Sequence, residues 1–219
     1  MSREFAELAE LLGRRGVASP LLVMVAGSNG AGKSTFYDAY LHSLGLPFIN
    51  ADRIAEELRA GSRGLPPELS DLPVDQAAQR AADEERHASI VLLRSFVTET
   101  VLSDSVGAKI AMLNAARGRG YDVWFFFIGI SGPELSRARV RERVRSRRGY
   151  DVHDDKIQSC YARTLANLPG AIEAASIAVL LDNDLADAPY RFVARFENGS
   201  LVRSSGFAPE WAKAELPGK

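Results

Sequence analysis

Apolar residues follow two patterns that alternate along the chain. Short runs of consecutive apolar residues are typical of strands buried on both faces, and they predict strands at residues 21–26, 46–50, 95–99, 121–130 and 176–183. Between these runs, apolar residues return every three or four positions, which is the period of an amphipathic helix. Strands that alternate with helices form a parallel sheet covered on both faces. The pattern predicts an α/β fold with a five-stranded, mainly parallel sheet.

The intervening segments contain the predicted helices and one hairpin. Helices are predicted over residues 34–44, 51–60, 75–94, 103–120, 133–146 and 154–168. Residues 1–18 place Phe5, Leu8 and Leu12 at helical spacing and predict an N-terminal helix. Residues 190–204 read as a C-terminal hairpin that turns at Asn-Gly. We interpret residues 1–219 as a single domain.

Composition narrows the class of protein. The 219 residues are 46% hydrophobic and 25% charged, which is ordinary for a globular domain of this size. A net charge of −1 provides no global field that would attract nucleic acid or a membrane surface. The single cysteine, Cys160, has no intrachain partner, and no run approaches the ~18 apolar residues of a membrane span. These features predict a soluble cytoplasmic protein that does not associate with membranes.

A glycine-rich motif follows the first predicted strand. Residues 27–34 read GSNGAGKS and match G-x-x-x-x-G-K-[ST] at the start of a helix. Glycines allow positive φ and let backbone N–H groups surround an anion, while the helix start adds further N–H groups. A glycine turn with an incidental lysine is the alternative, but it leaves the flanking strand and helix unexplained. The predicted nucleotide-binding residues are Gly27, Ser28, Asn29, Gly30, Ala31, Gly32, Lys33, Ser34 and Thr35.

Motifs of other nucleotide-binding classes are absent from the sequence. No N-K-x-D guanine-recognition motif occurs, and no run of four apolar residues is followed by Asp-Glu. The nearest approach to that second motif is AVLLDN, which contains Asp182. A small chain with the glycine-rich motif and without those parts favours a kinase that acts on a small molecule.

Two acidic residues follow predicted strands, where ligands bind in open α/β sheets. Asp52 lies two residues beyond the second strand and is the candidate general base for an acceptor hydroxyl. It is equally suited to be the N-cap of the following helix. Glu99 ends the third strand, where it either binds substrate hydroxyls or is a solvated strand end.

The helix predicted at residues 133–146 is rich in arginine. The seven arginines in and just after it are Arg137, Arg139, Arg141, Arg143, Arg145, Arg147 and Arg148. At about 100° per residue, Arg139 and Arg143 lie nearly opposite Arg137, Arg141 and Arg145. One stripe can therefore face a triphosphate while the other faces water. The alternatives are a solvated face paired with acidic neighbours and a nucleic-acid patch, which the lack of interleaved aromatic residues disfavours.

In order along the chain, these segments resemble the zeta-toxin-like family of P-loop kinases. The resemblance covers residues 21–198 and rests on GSNGAGKST, INADRIAEEL, SFVTETVLSD, ELSRARVRERV, YDVHDDKIQSCYARTLANL and LLDN. It implies a fold similar to that of adenylate and shikimate kinases. It also implies phosphate transfer from ATP to the 3′-hydroxyl of the amino sugar in UDP-N-acetylglucosamine.

The resemblance implies roles for residues on the ATP side. Lys33 and Ser34 would hold ATP and Mg²⁺, with Ser34 as the metal ligand. Arg143 and Arg148, together with Arg139, would clamp the triphosphate, and Lys33, Arg143 and Arg148 would take part in catalysis. These arginines would belong to an arginine-rich helical lid formed by residues 134–168.

On the acceptor side, the resemblance makes Asp52 the catalytic base. Glu99, Thr100 and Arg86 would bind the acceptor, which is a small molecule with a hydroxyl group. An antitoxin protein in trans is the partner that the family implies. The alternatives are a kinase for another hydroxyl compound, such as an antibiotic, a nucleoside or another sugar nucleotide, and an ATP-binding regulatory module with little turnover. A 5′-hydroxyl polynucleotide kinase is disfavoured by the net charge.

Overall fold

The structure is a computed structural model that describes residues 19–146 and 154–216. The predicted N-terminal helix at residues 1–18 lies outside this range, and so does Arg148. Of the predicted lid region, residues 134–146 and 154–168 are described.

A seven-stranded sheet forms the centre of the molecule. Its strands are β1 Leu21–Ala26, β2 Phe48–Ile49, β3 Phe96–Thr100, β4 Asp122–Gly129, β5 Ile177–Asp182, β6 Arg191–Glu197 and β7 Ser200–Ser204. They follow the order β2-β3-β1-β4-β5-β6-β7, in which the first five are parallel and the last two antiparallel. The predicted α/β fold is confirmed. The sheet has seven strands rather than five because the C-terminal hairpin pairs with β5 and extends it.

The connections between the parallel strands are helical. The helices are α1 Lys33–Phe36, α2 Ala51–Arg59, α3 Val74–Val91, α4 Ala108–Gly118, α5 Pro133–Arg145, α6 Asp154–Ala166 and α7 Leu168–Ala174. The predicted first helix is helical to residue 44, but after α1 it continues as the π-helical turn Tyr37–Leu41 and the 3-10 turn His42–Leu44. Further 3-10 turns span Pro67–Leu69 and Glu210–Glu215. No helix in the described ranges is both long and apolar enough to cross a membrane.

Both faces of the sheet are covered. Successive residues of a strand point to opposite faces, so Met24 joins the core cluster on one face and Val25 joins the cluster on the other. Phe125 and Phe126 divide in the same way along β4. All six residues of β1 are buried, which explains why this strand reads as an uninterrupted apolar run.

The strand order brings the chemically interesting segments to one edge. β1 pairs with β3 so that Ala26 lies beside Thr100, and β2 pairs with the other side of β3 through Ile49 and Thr98. The glycine-rich loop after β1, the end of β3 and the start of α2 therefore meet at the carboxyl edge of the sheet. Crevices at this edge are where open α/β sheets bind ligands.

Candidate functional site

The glycine-rich loop turns sharply between β1 and α1, and two glycines make that path accessible. Gly27 has φ +147°, and a Cβ there would lie 2.3 Å from the Ile128 carbonyl oxygen on β4. Gly32 has φ +93°, and its Cβ would lie 2.6 Å from Asn183 Nδ2. A side chain at either position would strain the backbone and collide with the framework. The loop therefore packs directly against its surroundings.

One side of the loop is tied down by α5 and by its own lysine. Ser136, fully buried on α5, donates from Oγ to the Asn29 carbonyl oxygen at 2.6 Å. Lys33 donates from Nζ to the Ser28 carbonyl oxygen at 3.0 Å. Both bonds engage carbonyl oxygens of the loop.

The other side of the loop is tied to the connection between β5 and β6. Asn183 donates from Nδ2 to the Ala31 carbonyl oxygen at 2.8 Å, and the Tyr190 hydroxyl donates to the Gly32 carbonyl oxygen at 2.9 Å. No pattern in the sequence predicted a role for Ser136, Asn183 or Tyr190. The only signal was the position of Asn183 at the end of the LLDN segment.

Lys33 is a buried cation at the end of the loop. Its side chain is 7% exposed, and Nζ lies 3.9 Å from Glu99 Oε1. Burial lowers the pKa of Lys33, while the negative charges of Glu99 and Asp52 oppose that effect and Arg143 adds to it. An anion bound at the loop would bring further negative charge to this ammonium.

Glu99 is buried, so the solvated strand end considered for it is wrong. Its side chain is 9% exposed, and Oε2 accepts hydrogen bonds from Ser34 Oγ and Asn50 Nδ2, both at 2.9 Å. Burial raises the pKa of Glu99 and the charge of Asp52 adds to the rise, whereas Lys33 and the two hydrogen bonds lower it. The carboxylate therefore links the loop to β2 as well as to β3.

Asp52 lies in the first turn of α2 but does not cap the helix. The N-cap is Asn50, whose Oδ1 accepts hydrogen bonds from the backbone N–H groups of Asp52 at 2.7 Å and Arg53 at 3.2 Å. The N-cap alternative for Asp52 is thus wrong. Its exposed carboxylate borders both of the cavities at this edge of the sheet.

Two adjoining cavities open at the carboxyl edge. The first, here called the loop-side cavity, has a volume of about 480 Å³ and is lined by Ser34, Thr35 and Arg139. The second, here called the strand-end cavity, has a volume of about 500 Å³ and is lined by Thr100 and Lys109. The residues that line both cavities are Gly30, Lys33, Asn50, Asp52, Glu99 and Arg143. Each cavity is large enough for a small molecule.

The arginines of α5 divide as the helical period predicts. Arg139 and Arg143 border the loop-side cavity, and Arg139 also donates to the Asp184 carbonyl oxygen at 3.0 Å. Val140 between them is buried. On the opposite stripe, Arg141 and Arg145 are exposed. One stripe therefore faces the site, while the other is exposed at Arg141 and Arg145 and partly buried at Arg137, which pairs with Glu134.

Arg86 lies beneath the site rather than in it. Its side chain is 1% exposed and lines neither cavity. The guanidinium donates to Thr98 Oγ1 and Asp83 Oδ1 at 2.7 Å, and to the Glu99 carbonyl oxygen at 3.2 Å. In this arrangement Arg86 supports the end of β3 and does not present a group to an acceptor.

The strand-end cavity contains polar residues that the sequence did not reveal. Lys109 and Asp83 form an ion pair along its wall, and Asp83 also pairs with Arg86. Thr100 borders the same cavity. Cys160 is buried and also reaches this wall, where its Sγ lies 3.4 Å from Arg163 Nη2.

Comparison with known proteins assigns the chain to a family. The family model described as "Zeta toxin" matches residues 9–180. The chain belongs to the zeta toxin family. A Haemophilus influenzae protein described as uncharacterized is 28% identical over 139 residues, which cover 64% of this chain and 91% of that protein.

Solved structures of this family's fold align at low sequence identity. A chain of the AvrRxo1-ORF1:AvrRxo1-ORF2 complex with sulphate ions aligns with a TM-score of 0.67 at 18% identity, and covers 93% of this chain. The present chain spans only 66% of that neighbour's length. A structure of the same complex with ATP aligns with a TM-score of 0.58 at 16% identity, over 89% of this chain and 63% of the other.

A second neighbour comes from a toxin–antitoxin system. The PezAT chromosomal system of Streptococcus pneumoniae aligns with a TM-score of 0.55 at 16% identity, over 95% of this chain and 82% of the other. At these identities the likeness concerns the fold alone.

Proposed function

We propose that this protein is an ATP-dependent phosphotransferase that transfers the γ-phosphoryl group to a hydroxyl group of a small molecule. One observation carries the proposal: Lys33, Asp52, Glu99 and Arg143 line both the loop-side and the strand-end cavity. A phosphoryl donor bound on the loop and a phosphoryl acceptor bound against β3 would thus lie on either side of these two cations and two carboxylates. That arrangement suits phosphoryl transfer, which depends on positioning and on charge stabilisation.

The loop-side cavity has the chemistry needed for ATP. Backbone N–H groups at the start of α1 favour phosphate, and Lys33 and Arg143 supply positive charge near the transferred group. Arg139 lines the same cavity and adds a further cation. The AvrRxo1 complex solved with ATP has a similar fold, which supports the choice of nucleotide.

The residues beside the loop also fit Mg²⁺. Ser34 Oγ and Glu99 Oε2 are neighbouring oxygen atoms, and oxygen is the ligand atom that this cation prefers. Ser34 would bind the ion directly, and Glu99 would orient the serine hydroxyl or a metal-bound water. When bound, Mg²⁺ supplies charge neutralisation to the phosphates.

Asp52 is the proposed general base. Its exposed carboxylate would accept the proton of the acceptor hydroxyl as the new oxygen–phosphorus bond forms. The bond between the γ-phosphorus and the bridging oxygen breaks at the same time, and ADP leaves. Lys33 and Arg143 would stabilise the charge that spreads over the transferred phosphoryl oxygens.

UDP-N-acetylglucosamine is the leading acceptor, because the family resemblance implies it and the strand-end cavity offers both donors and acceptors of hydrogen bonds. Thr100 and Glu99 would contact the sugar. Another hydroxyl compound, such as an antibiotic, a nucleoside or a different sugar nucleotide, is the alternative substrate. An antitoxin in trans is the proposed protein partner, since the PezAT neighbour belongs to a toxin–antitoxin system.

The test is ADP release from ATP and Mg²⁺ in the presence of a panel of acceptors, with mass spectrometry of each acceptor. The panel contains UDP-N-acetylglucosamine, other sugar nucleotides, nucleosides and hydroxylated antibiotics. Acceptor-dependent ADP release with the gain of one phosphoryl group supports the kinase and identifies its substrate. ATP binding without turnover on any acceptor favours the regulatory module instead.

A further inference from the structure

The direction of the loop carbonyl groups decides where the loop amides point. In a trans peptide the C=O of one residue and the N–H of the next are antiparallel. A hydrogen bond that holds the carbonyl of Asn29, Ala31 or Gly32 against the framework therefore turns the next N–H away from the framework. The Gly32 carbonyl oxygen also accepts the helical hydrogen bond of the Phe36 N–H at 2.9 Å, so Tyr190 adds a second donor there. The amides concerned belong to Gly30, Gly32 and Lys33, all of which line the loop-side cavity.

The donors of these hydrogen bonds come from distant parts of the chain. Ser136 lies on α5, whereas Asn183 and Tyr190 lie at the two ends of the connection between β5 and β6. Asn183 is 9% exposed and Tyr190 is 7% exposed, and Asn183 Oδ1 accepts a hydrogen bond from the Tyr190 N–H at 3.3 Å. Buried side chains therefore hydrogen-bond to the loop from two sides.

Tyr190 is held in place by packing as well as by its hydroxyl. Its ring centroid lies 5.1 Å from that of Phe36 on α1 and 5.7 Å from that of Tyr40 in the π-helical turn. Burial raises the pKa of Tyr190 to about 12, so the hydroxyl remains protonated and able to donate at neutral pH. Phenylalanine at this position would keep the ring contacts and lose the hydrogen bonds of the hydroxyl group to the Gly32 carbonyl oxygen and to the Thr35 side chain.

We propose that Ser136, Asn183 and Tyr190, here called the loop clamp, are positioning residues that hold the phosphate loop in its anion-binding shape before a ligand arrives. The proposal rests on the proposed function only in taking ATP as the anion. The C-terminal hairpin is then part of the nucleotide site, although none of its residues lines the loop-side cavity. Preorganised amides increase affinity because binding does not have to order them.

The experiment uses Tyr190→Phe and Ser136→Ala, with Tyr121→Phe as the matched control. Tyr121 is buried at 4% exposure, and its hydroxyl lies 2.7 Å from the Ser89 carbonyl oxygen, remote from the loop. ATP affinity is measured by calorimetry, and hydrogen exchange of the loop amides is measured without nucleotide. The KM for ATP and kcat are measured where turnover is found.

Each clamp variant is expected to weaken ATP binding by about threefold to tenfold, the equivalent of one lost hydrogen bond. The KM for ATP should rise more than kcat falls, and the amides of residues 30–33 should exchange faster in the unliganded protein. The control should lose comparable stability against denaturant while its ATP affinity and loop exchange stay at the wild-type values.

The outcomes separate this inference from the proposed function. Unchanged loop exchange and ATP affinity in both clamp variants would overturn the inference, and so would an equal loss of affinity in Tyr121→Phe. Faster loop exchange in the clamp variants of a protein that does not bind ATP would support the clamp and overturn the proposed function. If Tyr190→Phe does not fold, Ser136→Ala alone decides the result, because it removes a single hydroxyl.

Discussion

A substitution at Asp52 should affect phosphate transfer without affecting nucleotide binding. Its carboxylate is exposed at the boundary of the two cavities, and the helix cap is supplied by Asn50. Asp52→Asn should therefore lower kcat by about 10² to 10⁴, the usual contribution of a general base, and leave ATP affinity nearly unchanged. Lys33→Ala should damage both quantities, because Lys33 is buried against the loop.

Steady-state kinetics and ATP calorimetry on both variants test these expectations. Turnover of Asp52→Asn equal to that of the wild type would remove the base assignment. A large loss of ATP affinity in that variant would mean that Asp52 serves the nucleotide.

Glu99 should make the stability of the protein depend on pH. Burial raises the pKa of Glu99 in the folded state above its ordinary value of 4.5, so the folded protein holds this proton more tightly than the unfolded chain does. The free energy of unfolding then falls as pH rises from 4.5 through the raised pKa. Glu99→Gln does not titrate, so the wild type should lose stability relative to this variant across that window.

Denaturant unfolding of both proteins at several pH values measures this difference. A difference in unfolding free energy that stays constant from below pH 4.5 to neutrality would show that the pKa of Glu99 is not raised.

At the scale of the element, α5 tests whether one stripe of arginines does the chemistry. Arg143 borders both cavities, whereas Arg141, two residues earlier on the same helix, is exposed. Arg143→Gln should lower kcat by about 10³ or more, as expected of an arginine that stabilises a transferring phosphoryl group. Arg141→Gln is the matched control, since it makes the same chemical change on the solvent side.

Kinetics of the two variants should differ in kcat, while their far-ultraviolet circular dichroism should be alike. Equal kcat values would return α5 to the solvated charged helix that was the alternative explanation of its composition.

Hydrogen bonds from α3 and β2 hold the end of β3 below the site. Arg86 on α3 bonds to the side chain of Thr98 and to the carbonyl of Glu99, and Thr98 in turn donates to the Ile49 carbonyl oxygen on β2 at 2.9 Å. Three elements thus fix the direction in which Glu99 leaves the sheet. The helical period of the sequence predicts that Arg86 lies on α3. It does not predict that the charge of Arg86 is buried.

At the scale of the whole molecule, the C-terminal turn Glu210–Glu215 packs against the sheet through Trp211. Trp211 is 6% exposed, and its ring occupies the space above Gly129, where a Cβ would lie 2.2 Å from it. Its Nε1 donates to Asp182 Oδ2 at 3.1 Å. Trp211→Ala should reduce the free energy of unfolding by about 3 to 5 kcal/mol, because it leaves a cavity and a buried carboxylate with one partner fewer.

Chemical denaturation measures the loss, and Val106→Ala is the control because Val106 is 85% exposed. The control should change stability by less than about 0.5 kcal/mol. A similarly small change for Trp211→Ala would show that the C-terminal turn does not contribute to the core.

Local features of the sequence determined the architecture and the path of the glycine-rich loop. The apolar runs predicted the five parallel strands, because strands buried on both faces, such as β1, are nearly continuous apolar runs. The loop was predictable from the G-x-x-x-x-G-K-[ST] motif, whose glycines accept the positive φ at Gly27 and Gly32 without strain. Both signals depend on residues that are neighbours in the chain.

Only the tertiary structure decided which distant side chains meet at this loop. Tyr190 donates to a carbonyl 158 positions away, and Glu99 bonds to Ser34 across 65 positions. Nothing in the local pattern around either residue specifies its partner, since the path of the intervening strands and helices sets that contact. Burial follows from the same path, and for this reason the raised pKa of Glu99 and the buried charge of Arg86 emerged only in three dimensions.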